Sequence, residues 1–261
     1  MKRNMVLIQR VSFISLSFLL IFSALALISS QKKQTISPKP VAGNKTVVVM
    51  ELFTSQGCSS CPPADKLLAE YSSINNENII PLSFHVDYWN RLGWTDPFSN
   101  SAYSARQQWY SQHLPKGSVY TPQLIINGRG EVVGNDRSLV AGLVKKELAG
   151  SSTKNISVEN VVIGKSVVSF HYTIANAGKD ELLNIAIIQK EVTTQIKAGE
   201  NDGITLTNHN IVRSFDTQPV NNDGSAQIVI PLSFKVSGHA LVLYVQNRKD
   251  LTISAAVMKD L

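Results

Sequence analysis

Cys58 and Cys61 are the only cysteines in a chain of 261 residues, and they stand two residues apart in Gly57-Cys58-Ser59-Ser60-Cys61-Pro62-Pro63. The apolar run Val47 to Phe53 precedes them and a helical pattern follows, so the pair sits at a strand-to-helix junction. That spacing and setting predict a redox dithiol. A helical turn starting near the first cysteine would bring the sulfurs within disulfide reach. It would also leave the first sulfur beside free N–H groups whose partial positive charge favours a thiolate. Pro62 and Pro63 oppose the second point, because they bias the residues before them away from helical backbone and move the helix start toward Pro63. Two other readings stay open. Two thiolates and a histidine could hold copper(I), whereas four-thiolate zinc is excluded by the cysteine count. The third reading is a structural staple, although a disulfide across so short a loop restrains the unfolded chain little.

The N-terminus predicts an address. Lys2, Arg3 and Arg10 flank an uncharged apolar stretch, Val11 to Ile28, as the n-region and h-region of an export signal do. Ala24-Leu25-Ala26 offers a cleavage site, but 18 residues of helix would also reach about 27 Å, enough for an uncleaved anchor. Residues 1–30 are therefore a signal peptide or signal anchor, and 31–45, with Pro38, Pro40 and Gly43, are a linker. Either way the body lies outside the cytoplasm, periplasmic or otherwise extracytoplasmic, and meets a membrane only through this segment. In an oxidising space the cysteine pair is expected as a disulfide. Three of the six net positive charges come from this segment, and no basic patch is interleaved with aromatics, which argues against nucleic acid as a partner.

Residues 46–150 alternate strand and helix. The predicted elements are a strand over Val47–Phe53 and a helix with Ala64, Leu67, Leu68 and Tyr71 on one face. A second strand follows over Ile79–Val86, then a helix capped by Asp96 with Phe98, Ala102, Ala105 and Trp109 inward. Val119-Tyr120-Thr121-Pro122 leads into a strand and a hairpin turned at Asn127-Gly128, and Asp136 caps a last helix with Leu139, Leu143 and Val144 inward. From about Ser151 short β-rich runs recur between Asn- and Gly-containing turns, with no helix. Residues 151–261 are expected to be an antiparallel β-sandwich, structural or partner-docking in role.

These motifs carry a resemblance. The order of elements, the Cys-x-x-Cys-Pro junction and Thr121-Pro122 before the hairpin resemble the thioredoxin superfamily. More narrowly, Glu51 to Asp65, Phe84 to Asn90 with Gly93-Trp94, and Tyr120 to Gln123 with Ile126-Asn127-Gly128 resemble the exported thioredoxin-like family filed as domain of unknown function 1223. The resemblance implies an α/β thioredoxin-like domain followed by the antiparallel β-sandwich domain. It implies Cys58 as attacking thiol, Cys61 as resolving thiol, Pro122 as a cis proline facing them, and Thr121 offering backbone groups to a bound peptide. Glu51 matches a buried carboxylate beneath the dithiol.

The expected function is thiol-disulfide exchange through Cys58 and Cys61, with protein thiols or disulfides, a small thiol or an external redox partner on the other side. No cofactor beyond the redox disulfide is called for. Glu51, His85 and Asp87 are candidate proton acceptors, the last two sharing a strand face at i, i+2. Trp89 and Trp94 are candidates for a substrate groove. Arg91 and Arg106 read as solvated surface charges. The competing class is a non-enzymatic binding module for a protein partner or copper(I).

Overall fold

The computed structural model describes residues 46–261 apart from 75, 232 and 233. The expected signal peptide or anchor over residues 1–30 and the expected linker over 31–45 therefore lie outside the described residues. Among the described residues no helix is long and apolar enough to cross a membrane.

The first half follows the sequence closely. Strand β1 (Val48–Thr54) leads through the cysteine turn to helix α1 (Pro62–Ser73), and β2 (Ile79–His85) returns parallel to β1. Helix α2 (Ser101–His113) is followed by the hairpin β3 (Gln123–Ile126) and β4 (Gly130–Val133), then by helix α3 (Arg137–Leu148). β1 is buried on both faces. Its even positions, Val48, Met50 and Leu52, meet Ala64 and Leu68 of α1 and Val140 and Val144 of α3. Its odd positions, Val49 and Phe53, meet Tyr103 and Tyr110 of α2.

Two helix faces differ from expectation. In α2 the buried residues are Tyr103, Gln107 and Tyr110, while Ala102 and Ala105 face outward and Asn100 rather than Asp96 caps the helix. In α3, capped by Asp136 as expected, Val140 replaces the exposed Leu139 on the inner face.

The expected fold class is overturned by the second half. Its strands are β5 (Ile156–Ile163), β6 (Val167–Ile174), β7 (Glu181–Gln195), β8 (Thr205–Pro219), β9 (Asp223–Val229), β10 (His239–Asn247) and β11 (Ile253–Asp260). They do not make a sandwich of their own beside a thioredoxin-like α/β domain. Four of them continue the first sheet, in the order β11-β10-β7-β8-β2-β1-β3-β4, and only β5, β6 and β9 form a separate three-stranded sheet. The join is β2 with β8, parallel at Ser83 and Ile211, tightened by the Ser83 hydroxyl donating to the His209 carbonyl at 3.1 Å.

The physical reason lies in β7 and β10. Leu183, Ile185, Leu241 and Leu243 face the three-stranded sheet, whereas Ala186, Ile188, Val242 and Tyr244 join the core under α2. Strands buried on both sides belong in the middle of a large sheet, not on a half-solvated sandwich face. The protein is mostly β, with one mixed eight-stranded sheet covered by helices at one end and by three strands at the other.

Candidate functional site

Cys58 and Cys61 are joined as a disulfide with Cα atoms 5.4 Å apart. The chain leaves β1 through a turn in which Cys58 N–H donates to Ser55 O and Cys61 N–H to Cys58 O. Helix α1 begins at Pro62, with Cys61 at its cap. Pro62 and Pro63 have no N–H to offer, and the next two, on Ala64 and Asp65, donate to the Cys61 carbonyl. The expected free N–H groups beside Cys58 are thus absent from this helix start.

A side chain takes their place. The Thr121 hydroxyl donates to Cys58 Sγ at 3.2 Å and accepts from Trp89 Nε1 at 2.8 Å. The Thr121–Pro122 peptide is cis and Pro122 is buried. Ser60 Oγ lies 3.3 Å from Cys58 Sγ. Trp89 therefore lines the disulfide edge, indirectly bonded to the sulfur.

Both cysteines are fully buried, which an accessible attacking sulfur would not be. Thr121 and Ser60 lie against Cys58 Sγ, and the second half of the chain ties down the backbone around it. β7 and β8 form a hairpin of two 15-residue strands, and its tip lies over the cysteine turn. Asn201 Nδ2 donates to the carbonyls of Gln56 and Cys58 at 2.8 and 2.9 Å, and Glu200 accepts from Ser59 N–H at 3.0 Å. Trp94 packs beneath Gly199 and donates to Gln56 Oε1, so it supports the tip rather than an open groove. Gly199 adopts φ +80°, and a Cβ there would stand 3.2 Å from Trp94 Cβ.

Below the turn lies a buried polar cluster that the sequence reading missed except for His85. His85 Nδ1 meets Asp96 Oδ2 at 2.7 Å, and Asp96 also accepts from Gln56 and Phe98 N–H groups. Asp65, one helical turn beyond Cys61 on the same face of α1, has both carboxylate oxygens buried without a hydrogen-bond partner. His85 Nε2, Thr54 Oγ1 and Asn208 Nδ2 are similarly unpartnered. Burial pushes the Asp65 carboxyl up to about 7, against the pull of the His85 charge and of the nearby Thr54 hydroxyl. Burial alone would depress His85, but the Asp96 carboxylate outweighs it and holds the imidazole above its ordinary value. Asp96, itself opposed by burial, is held below the usual carboxylate range by His85 and by its two N–H donors.

Glu51 and Asp87 do not join this cluster. Glu51 is an odd position of β1, so it points to the α2 face, away from α1. There Arg106 grips it through Nε and Nη2 at 2.6 and 2.8 Å, and Tyr110 OH donates to it at 2.7 Å. Arg106 is consequently a buried ion-pair partner and not the solvated charge expected, whereas Arg91 is exposed. Asp87 falls after the end of β2, where strand alternation lapses, and binds Ser104 of α2. Among the described residues no group of three or more His, Cys, Asp or Glu side chains gathers into a metal site.

Residues 49–246 match the family described as Protein of unknown function (DUF1223). The chain is similar to a crystal structure of an Agrobacterium tumefaciens protein, with 31% identity and a TM-score of 0.61, over 82% of this chain and 95% of that one. A β-glucosidase from Kluyveromyces marxianus aligns with a TM-score of 0.20 at 8% identity, over 43% of this chain and 14% of that one, which carries no argument. No curated protein matches.

Proposed function

Because the chain belongs to the DUF1223 family, which brings no activity with it, we propose from the site alone that it exchanges disulfides through Cys58 and Cys61. The observation that carries this reading is the hydroxyl of Thr121 aimed at Cys58 Sγ. A hydrogen bond to a sulfur stabilises its thiolate, which raises the thiolate fraction of reduced Cys58 and makes it the readier leaving group from a mixed disulfide with a partner. A staple would need no such donor.

In the oxidising direction a partner thiolate attacks Cys58 Sγ and the Cys58–Cys61 bond breaks, its electron pair leaving on Cys61. Cys61 takes up a proton, and Asp65, one turn below it and protonated up to about pH 7, is the residue we assign to that transfer in place of Glu51. A second partner thiol then attacks the partner sulfur of the mixed disulfide. Cys58 leaves as a thiolate and takes up the proton that the second thiol gives up, so the partner gains a disulfide and the protein holds two thiols. The reverse sequence reduces a partner disulfide. Either direction needs an external thiol or disulfide to reset the pair, and an export segment over residues 1–30 would place the cycle outside the cytoplasm.

The test is the redox equilibrium of the pair against glutathione, followed by exchange with a model dithiol. A reversible two-electron titration with exchange that depends on Cys58 supports the reading. A disulfide that stays closed at every accessible potential overturns it.

A further inference from the structure

On the α2 face of the large sheet a cavity of about 570 Å³ opens among α2, β7, β8 and β10. Its lining includes Ala105, Arg106, Trp109, Leu182, Phe215 and Arg248. Arg106 is the unusual member. Its side chain is 8% exposed, and Phe215 and Tyr110 lie 4.8 and 5.0 Å from its guanidinium carbon. Nε and Nη2 bond Glu51, and Nη2 also reaches Tyr110, Tyr244 and Gln246. Nη1, on the side of the guanidinium away from Glu51, takes part in none of these bonds and, with its two protons, is open to the cavity. Arg248 stands at the rim, 58% exposed, with Nη2 bonded to Asp180 at 3.0 Å.

We propose that this cavity binds a small amphipathic carboxylate, its anionic head on Arg106 Nη1 and Arg248 and its apolar body against Trp109, Phe215, Leu182 and Ala105. Charge complementarity selects the head: Nη1 is the Arg106 nitrogen that Glu51 does not engage, and a second guanidinium, that of Arg248, lines the same cavity. The apolar lining selects the body, since a few polar groups on a mainly apolar wall is the ordinary make-up of a small-molecule site. The site is independent of the disulfide, because Glu51 and Arg106 lie on the sheet face away from α1.

The test is isothermal titration of the full-length protein with 4-phenylbutyrate and with its neutral amide. The carboxylate is expected to bind saturably at one site, with the amide weaker by about tenfold or more, the usual weight of a charge-assisted pair. Ala105→Trp, at an exposed position of α2, fills the cavity and is expected to abolish binding without lowering the thermal midpoint. Arg248→Ala is expected to weaken binding and flatten its salt dependence. Equal affinity for the amide, unchanged binding to Ala105→Trp, or no saturable binding at millimolar carboxylate would each overturn the proposal.

Discussion

Asn201 holds the carbonyl oxygen of Cys58 across 143 residues of sequence, through a 2.9 Å hydrogen bond from the hairpin tip. The same amide nitrogen holds Gln56 O, so one side chain ties the hairpin to both sides of the turn before the disulfide. The tip thereby fixes the backbone that carries the buried sulfur.

Loosening that tie should expose the sulfur. Asn201→Ala removes two hydrogen bonds, each worth about 1 kcal/mol net, and is expected to speed reduction of the disulfide by dithiothreitol about tenfold. Stopped-flow reduction read with a thiol dye checks this. A rate equal to wild type would mean that the tip does not limit access.

Thiol chemistry should divide between the two cysteines. Cys58→Ser is expected to abolish disulfide exchange, whereas Cys61→Ser should accumulate mixed disulfides with protein or small thiols, visible by non-reducing mass spectrometry. Exchange at the wild-type rate in both variants would end the enzymatic reading.

The buried carboxyl of Asp65 makes a signed prediction for pH. Its folded value, about 7, lies above the 3.8 of an ordinary aspartate, so its contribution to stability is fully present below pH 4 and is lost as pH rises through 7. His85, also raised, acts in the same direction from its ordinary value upward. Asp96, lowered, contributes above pH 4 and loses its share on acidification. Asp65→Asn should therefore be more stable than wild type at pH 8, by an amount on the order of 2 kcal/mol, and nearly equal at pH 4. Urea midpoints at the two pH values decide it.

Breaking the Glu51–Arg106 pair should be severe and should not touch the chemistry. Arg106→Ala leaves an ionised carboxylate buried without its partner, and the expected loss is about 3–5 kcal/mol. Thermal unfolding measures it. Exchange per folded molecule should remain within a few-fold of wild type, since Glu51 faces away from the disulfide.

Local structure in the first half was legible because it is written in local terms. Val48 to Thr54 is apolar enough to be buried on both faces, Asn127-Gly128 fits a tight turn, and Asp136 does cap its helix. Gly128, at φ +75°, also admits the Leu251 carbonyl where a Cβ would stand 1.8 Å from it. The α2 face was misread because Gln107 and Arg106 look solvated in sequence, yet long-range partners satisfy them: Tyr120 and Gln123 for one, Glu51 for the other. Asp96 looked like a helix cap for the same reason, its partner His85 lying 11 residues earlier. Asp65 gave one usable signal, an acid at i+4 from Cys61 with Pro62, Leu68 and Ala69 as its i±3 and i+4 neighbours on that helix face. Nothing local showed that residues 181–219 would reach back over the cysteine turn, because strand pairing between distant segments leaves no periodic trace.

The seam between Ser83 and Ile211 bears on how such a protein can be inherited. β2 has β1 on one edge and β8 on the other, and the hairpin that begins in that pairing ends over the disulfide. A fragment stopping near residue 150 would carry the cysteines but leave a raw backbone edge where β8 belongs and no hairpin tip bonded to the cysteine turn. The two halves are thus not exchangeable cassettes, and recombination between them would separate the cysteine turn from the arm hydrogen-bonded to it.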